Sequence, residues 1–220
     1  MSRSNITLVS REAWPYLTAL VILVFIVQYF LGLGLSLLVW LVFLIVAYVF
    51  RDPDRVITSE PLAVVCPVDG CITSIDTINH PYLDGDTICI MMQMNKLGAY
   101  RVRSPIEGKV MQQWFLLPGD SLPKLQGAVS RLHISHWVQS DEGENVVVSM
   151  RENSKFFHPQ CNIQVGERMG QGQKCGIIPL GSQVAIYLPV NVVLKQETGA
   201  CLAAGTDVLA YLRHEPVKTH

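Results

Sequence analysis

No charged residue occurs between Tyr16 and Phe50, and the polar interruptions reduce to Thr18, Gln28 and Ser36 among Leu, Val, Ile and Phe. A helix on a globular domain carries a polar face, and this run has none. As one continuous helix, at about 1.5 Å per residue, it would rise about 50 Å against a hydrocarbon core of about 30 Å. Gly32 and Gly34 near its middle therefore predict a bend, either a hairpin of two short helices or one tilted span with an interfacial extension. The run is far longer than the apolar core of a leader peptide, about 7–15 residues, and no small-residue cleavage site follows, so it is expected to be retained. Arg3 and Arg11 on one flank balance Arg51 and Arg55 on the other, and a hairpin puts both flanks in the cytoplasm. Residues 1–50 are thus predicted as a membrane anchor of one or two helices in an inner or plasma membrane, with the following domain on the cytoplasmic side.

Arg51-Asp52-Pro53-Asp54-Arg55 breaks the apolar run and opens a linker, 51–62, ahead of a β-rich domain over 63–220. The runs Ala63–Cys66, Thr87–Met92, Lys109–Phe115, Asn145–Met150, Gln183–Leu188 and Val208–Leu212 alternate or cluster apolar residues between Gly, Pro and Asp turns, which predicts strands. Arg131–Val138 is the candidate for a short helix or irregular segment. The expected fold class is mainly β, a barrel or sandwich-like soluble domain behind an N-terminal transmembrane helical segment or hairpin. With 17 Lys+Arg against 18 Asp+Glu the net charge is −1, which excludes a nucleic-acid electrostatic footprint. Cys66, Cys71, Cys89, Cys161, Cys175 and Cys201 show no compact framework, and Cys66 and Cys71 lack the paired Cys or His of a zinc site. They are expected to be small core residues in a reducing compartment, and no metal is expected.

Two turn phrases recur in altered form, Ser104-Pro105-Ile106-Glu107-Gly108-Lys109-Val110 leading to Pro118-Gly119-Asp120, and Leu188-Pro189-Val190 leading to Ala204-Gly205-Thr206-Asp207-Val208-Leu209. They resemble the hammerhead β-hairpins of biotinyl and lipoyl carrier domains and of exporter fusion subunits. Carrier chemistry needs a modifiable Lys in a Met-flanked or Asp-flanked tip, a context that Lys124 and Lys195 lack. An exporter subunit needs a long helical hairpin between its halves, and no such pattern is present.

Gly176-Ile177-Ile178-Pro179-Leu180-Gly181-Ser182-Gln183-Val184-Ala185-Ile186-Tyr187-Leu188-Pro189 sets a Gly-Ser pair between two apolar runs. Alone, such a pair is a turn. Taken with Phe50-Arg51-Asp52-Pro53-Asp54-Arg55, Pro67-Val68-Asp69-Gly70, Ser104-Pro105-Ile106-Glu107-Gly108 and Gly166-Glu167-Arg168-Met169-Gly170, over roughly Phe50 to Leu212, it resembles the phosphatidylserine decarboxylases of the short bacterial and archaeal type. The resemblance implies a proenzyme in which Ser182 attacks the Gly181 carbonyl, giving an ester that eliminates to split the chain and leave a pyruvoyl group. That group would be the cofactor, an electron sink for decarboxylating phosphatidylserine to phosphatidylethanolamine without metal or pyridoxal phosphate. Self-processing needs a hydroxyl just after the scissile carbonyl, a base, and donors for the oxyanion.

By the same resemblance Asp69 matches the family's processing acid, its other reading being an Asp-Gly turn. Arg103 is the candidate for holding the lipid phosphate or carboxylate bidentately, its other reading being a surface salt bridge. The implied partners are the phospholipid, the membrane and the two self-cleaved chains of one protomer, with homo-oligomerisation left open.

The family phrase Asp-x-His-x-Asn-Arg reads Gly98-Ala99-Tyr100-Arg101-Val102-Arg103 in this chain. Tyr100 stands where the family has the His used around decarboxylation, and with an ordinary pKa of about 10 it is a hydrogen-bond donor rather than a base. His133 and His136 are the candidate replacement imidazoles. Only Glu144 survives of an Asn-Glu-Arg phrase, and Gln171-Gly172-Gln173-Lys174-Cys175 are extra residues before the Gly-Ser approach. The alternative is a catalytically inactive member acting as a membrane-tethered lipid- or protein-binding module.

Overall fold

The apolar run forms a helix, α1 (Trp14–Leu31), followed by helical residues 37–44. A computed structural model of the chain describes residues 14–31, 37–44, 55–95, 99–120, 129–152, 158–178 and 182–213. It divides into two compact units, 1–54 and 55–220. At 1.5 Å per residue the 18 residues of α1 rise about 27 Å, and among the described residues no helix is long and apolar enough to cross a membrane. The spanning helix expected from the sequence is therefore not seen in them. Gly32 and Gly34, where the bend was expected, lie outside the described residues.

In the second unit the strands are β1 (Ala63–Val65), β2 (Gly70–Asn79), β3 (Asp86–Met94), β4 (Arg101–Arg103), β5 (Gly108–Leu116), β6 (His133–Gln139) and β7 (Asn145–Arg151). They continue as β8 (Gln160–Cys161), β9 (Arg168–Met169), β10 (Lys174–Ile177), β11 (Gln183–Pro189), β12 (Val193–Leu194), β13 (Cys201–Leu202) and β14 (Val208–Tyr211). One curled eight-stranded sheet runs β13-β2-β3-β11-β7-β6-β5-β9, beside the three-stranded sheets β1-β14-β12 and β4-β10-β8. All six segments expected as strands are strands.

The central strands of the large sheet, β3, β11, β7 and β6, are covered on both faces. One face carries Ile90, Met92, Val184, Ile186, Val148, Met150, Ile134 and Val138, and Cys66 after β1 lies with its Sγ 3.7 Å from Met92 Sδ. The other carries Cys89, Val147, Ala185 and Tyr187, with Tyr82, Leu83, Met91, Trp114 and Trp137 packed against them. Double burial explains the misread segment Arg131–Val138, which is strand β6 rather than a helix or irregular stretch. Ile134, His136 and Val138 point to one covered face and Ser135 and Trp137 to the other, so its apolar residues do not alternate with polar ones.

The domain is built of two interlocked halves. Pro67-Val68-Asp69-Gly70 opens β2 and Pro105-Ile106-Glu107-Gly108 opens β5, and the Val65 N–H donates to the Pro105 carbonyl while the Arg103 N–H donates to that of Pro67, each at 2.9 Å. The register shifts just after Ile72 in one half and just after Val110 in the other. A short strand caps each opening, with Cys201 and Leu202 opposite Cys71 and Gly70, and Arg168 and Met169 opposite Lys109 and Gly108. Both glycines answer a close approach. A Cβ on Gly70 would stand 2.3 Å from the Gln93 carbonyl oxygen, and one on Gly108 2.1 Å from that of Gln139. Asp69-Gly70 is thus the mouth of a strand and not a hairpin turn. The sequence repeat is real but pairs different segments from those expected, since the Leu188–Leu209 stretch supplies the capping strand of one half.

A correction concerns the cysteines. Cys66, Cys89 and Cys175 are buried thiols and Cys161 is half-buried, but Cys71 and Cys201 form a disulfide across a sequence separation of 130. The β2–β13 pairing sets these two residues directly opposite, where side chains approach within bonding reach. The expectation of a reducing compartment does not extend to this pair.

Candidate functional site

The Ser140–Glu144 turn joins β6 to β7, and the Ser140 N–H donates to the Glu144 carbonyl at 2.9 Å. In the other half the matching bond runs from the Met94 N–H to the Ser182 carbonyl at 3.1 Å, between residues far apart in sequence. Ser182 thus stands at the head of β11 where its counterpart half has a continuous hairpin. It is buried, 1% exposed. Gly181, the candidate donor of the scissile carbonyl, lies outside the described residues.

Asp69 reaches the same end of the sheet from the other side of β3. Its carbonyl accepts the Asn95 N–H at 2.9 Å, so the successive amides of Met94 and Asn95 tie down Ser182 and Asp69. With β3 between them, the two backbones stand about two strand spacings apart, roughly 10 Å. The Asp69 carboxylate is buried and accepts four hydrogen bonds. Arg55 donates bidentately at 2.5 and 2.6 Å, the Ala99 N–H to Oδ2 at 3.1 Å and the Ala204 N–H to Oδ1 at 2.8 Å. Both oxygens are committed, so action on the Ser182 hydroxyl requires exchange of one of these donors.

Tyr100 is buried, and its carbonyl accepts the Ile178 N–H at 2.9 Å on the approach to the Gly-Ser pair. Burial raises its phenol above the ordinary value, which keeps it a proton donor at neutral pH. Arg103 is 5% exposed, with Nη1 donating to the Gly172 carbonyl at 2.9 Å and its Cδ 2.9 Å from where a Cβ on Gly205 would lie. It is an interior cation rather than a surface residue. Backbone hydrogen bonds through Met94 and Asn95 link Ser182 to Asp69, the amide before Tyr100 donates to the Asp69 carboxylate, and Arg103 lies beside Gly205, next to the Ala204 whose amide also bonds Asp69.

The two candidate imidazoles diverge, because residues three apart on a strand face opposite sides. His136 is fully buried among apolar side chains; no hydrogen bond reaches Nδ1 or Nε2, and desolvation pushes its pKa down to about 4. His133 is half-buried, its Nδ1 donates to the Arg131 carbonyl at 2.8 Å, and burial lowers its pKa. Only His133 shares a cross-strand row with the residue after Ser182, through Gln183–Arg151 and Arg151–His133.

Because the unfolded chain protonates His136 near 6.5 and the folded one only near 4, its contribution is intact above about pH 6.5 and is lost as pH falls toward 4. The loss should reach about 2 kcal/mol at pH 5. His136→Leu should remove that share of the acid sensitivity, read as the change in denaturation midpoint between about pH 7.5 and about pH 5.

Sequence reasoning missed Arg55, assigned to a linker. The 55–62 stretch is docked instead, with the Thr58 N–H donating to the Gly205 carbonyl at 3.0 Å and the Tyr211 hydroxyl to Glu60 Oε2 at 2.8 Å. It also missed Arg131, Arg151 and Glu152, which line a cavity of about 190 Å³ with Gln93 and Gln183. Period-2 reading of Val147–Arg151 was the only available signal, and it shows a face without showing what lies opposite. Among the described residues no group of three His, Cys, Asp or Glu could hold a metal ion.

A family model described as phosphatidylserine decarboxylase matches residues 42–210. The phosphatidylserine decarboxylase proenzyme of Nitrosomonas eutropha is 33% identical over 210 residues, covering 94% of this chain and 96% of the relative. That of Nitrosomonas europaea is 30% identical over 207 residues (92% and 94%), and that of Paraburkholderia xenovorans 29% over 210 (93% and 97%). No solved structure matches the chain.

Proposed function

The chain belongs to the phosphatidylserine decarboxylase family and is a carboxy-lyase of that kind, and from this premise we propose that it decarboxylates phosphatidylserine to phosphatidylethanolamine after splitting itself between Gly181 and Ser182. The observation that carries the reading is Ser182 buried at the head of β11, tied by its carbonyl to Met94 and flanked across β3 by Asp69. The hydroxyl is on the residue the chemistry requires, so the position fits a pyruvoyl precursor. A pyruvoyl group at residue 182 supplies an electrophilic carbonyl for the substrate amine and a sink for the electrons left by carbon dioxide.

This chain's residues do the rest. Ser182 Oγ attacks the Gly181 carbonyl with Asp69 assisting removal of its proton, and the amide bond gives way to an ester. β-Elimination releases the Gly181 carboxylate, and water replaces the residue 182 amine, which leaves as ammonia, while β11 pairing keeps residue 182 in place. Tyr100 offers a hydroxyl donor at the position where the family phrase carries a His. Residues 1–54 are proposed to hold the enzyme at the inner or plasma membrane. Phe25, Tyr29 and Phe30 of α1 and Leu38, Leu41 and Leu44 are exposed, an apolar surface suited to lipid. Tethering raises the effective concentration of a substrate that stays in the bilayer.

The test is the intact mass of the purified, detergent-solubilised protein with and without reductant. Scission leaves Cys71 in the fragment 1–181 and Cys201 in 182–220, so the disulfide bridges the two mature chains. One bridged species is expected without reductant and two fragments with it, the smaller beginning with a pyruvoyl group. An unsplit chain that is folded would favour the inactive binding module, the reading to which the Tyr100 replacement points.

A further inference from the structure

Two cavities of the folded domain offer opposite charge. One of about 300 Å³ is lined by Glu60, Glu107, Asp141 and Glu142, and it repels an anionic ligand. The other, of about 190 Å³, holds Arg131, Arg151 and Glu152 with the amides of Gln93 and Gln183. It opens at the Ser182 end of the large sheet. Gln183 follows Ser182 directly and stands opposite Gln93 on one side and Arg151 on the other, so the three side chains share one face.

We propose that this second cavity is the headgroup subsite, seating the phosphoserine part of the substrate with Arg131 and Arg151 as its cationic contacts; the proposal rests on the reading of Ser182 above. Size supports it. The volume falls below the roughly 300–1,000 Å³ of pockets that enclose a drug-sized ligand, which suits a headgroup whose acyl chains stay outside. Charge supports it too. The headgroup carries a phosphate, a carboxylate and an amine, and the cavity answers with two guanidinium groups and one carboxylate.

The present contacts of Arg151 are exchangeable. Its Nη1 is 3.4 Å from Gln183 Oε1 and its Nη2 3.5 Å from Ser130 Oγ, both at the long limit of hydrogen bonding. A phosphate or carboxylate oxygen would bond at roughly 2.7–2.9 Å. The Glu152 carboxylate is already engaged, by His158 Nδ1 at 2.6 Å and the Leu132 N–H at 3.3 Å, which reduces its repulsion of an anion. Gln183 joins the cavity lining to residue 182 through a single peptide unit, with the two side chains on opposite faces of the sheet.

Binding is measured first on the uncleaved Ser182→Ala protein, which keeps the test independent of whether the chain matures. Calorimetry with glycerophosphoserine, glycerophosphocholine and inorganic phosphate is compared with the same protein also carrying Arg131→Gln and Arg151→Gln. Glycerophosphoserine is expected to bind more tightly than the other two probes, and each arginine replacement to weaken it by about 10- to 100-fold. Arg131→Lys and Arg151→Lys are expected to restore part of that loss. On matured enzyme, the Gln variants are expected to raise KM for phosphatidylserine in detergent micelles far more than they lower kcat. Unchanged glycerophosphoserine affinity in the double variant overturns the subsite, and so does inorganic phosphate binding as tightly as glycerophosphoserine. Absence of scission in the parent protein, with arginine-dependent binding retained, overturns the processing reading and leaves the subsite standing.

Discussion

Ser182→Ala is expected to leave the chain in one piece at 24.5 kDa, with no decarboxylase activity above background. The substitution removes one oxygen from a residue that is 1% exposed, and the antiparallel pairing of β11 with β3 and β7 is made by backbone. The fold should therefore survive. Without the oxygen there is no nucleophile next to the Gly181 carbonyl, so neither the ester nor the pyruvoyl group forms. Intact mass and a headspace carbon dioxide assay on the same preparation read both losses. A variant that still splits between 181 and 182 would remove Ser182 from the mechanism.

Asp69→Asn is expected to lower stability by about 3–5 kcal/mol, the range for breaking one member of a buried ion pair, and to slow scission. The carboxylate accepts four donors, two on each oxygen. An amide has only one accepting oxygen, so its NH2 must face either the Arg55 and Ala99 donors or the Arg55 and Ala204 donors. Arg55→Gln separates the structural part from the chemical one, since it breaks the same pair and leaves the carboxylate in place. Followed well below both unfolding midpoints, scission should be slow in Asp69→Asn and retained in Arg55→Gln. Equal rates in the two variants would make Asp69 a strut between the segments at 55, 99 and 204.

Much of the domain was legible because its strands carry their own signal. Six runs rich in Val, Ile, Met and Leu between Gly and Pro turns became strands at nearly their expected limits. β2 was missed because most of its second half is exposed and polar, as in Thr73-Ser74-Ile75-Asp76-Thr77. β6 was misassigned because both its faces are covered, so His136 sits in the core while Trp137 packs against the opposite layer. The two-residue caps β9 and β13 have too little sequence to be read, yet they close the two halves at Gly108 and Gly70.

The candidate site divides in the same way. Ser182 and Asp69 are singled out by short phrases only through the family resemblance, since a Gly-Ser or an Asp-Gly pair alone reads as a turn. That Arg103 is interior was not legible, because nothing in Arg101-Val102-Arg103 tells which guanidinium is buried. Arg55, Arg131 and Arg151 came from three separate stretches that sequence reading had labelled linker, irregular segment and strand end.

By itself the sequence determined the β class of the folded domain and the apolar character of its N-terminal unit, and it carries the Gly-Ser pair on which the proposed nucleophile rests. Each depends on the order of side chains along a few consecutive residues, and that order is what a sequence records. Tertiary structure alone decided that Arg55 meets Asp69, that Cys71 meets Cys201, and that Arg131 and Arg151 line a cavity beside Gln183. Those are choices of neighbour between distant strands, and they follow from the burial of both faces of the central strands of one curled sheet, which only the packed chain as a whole can settle.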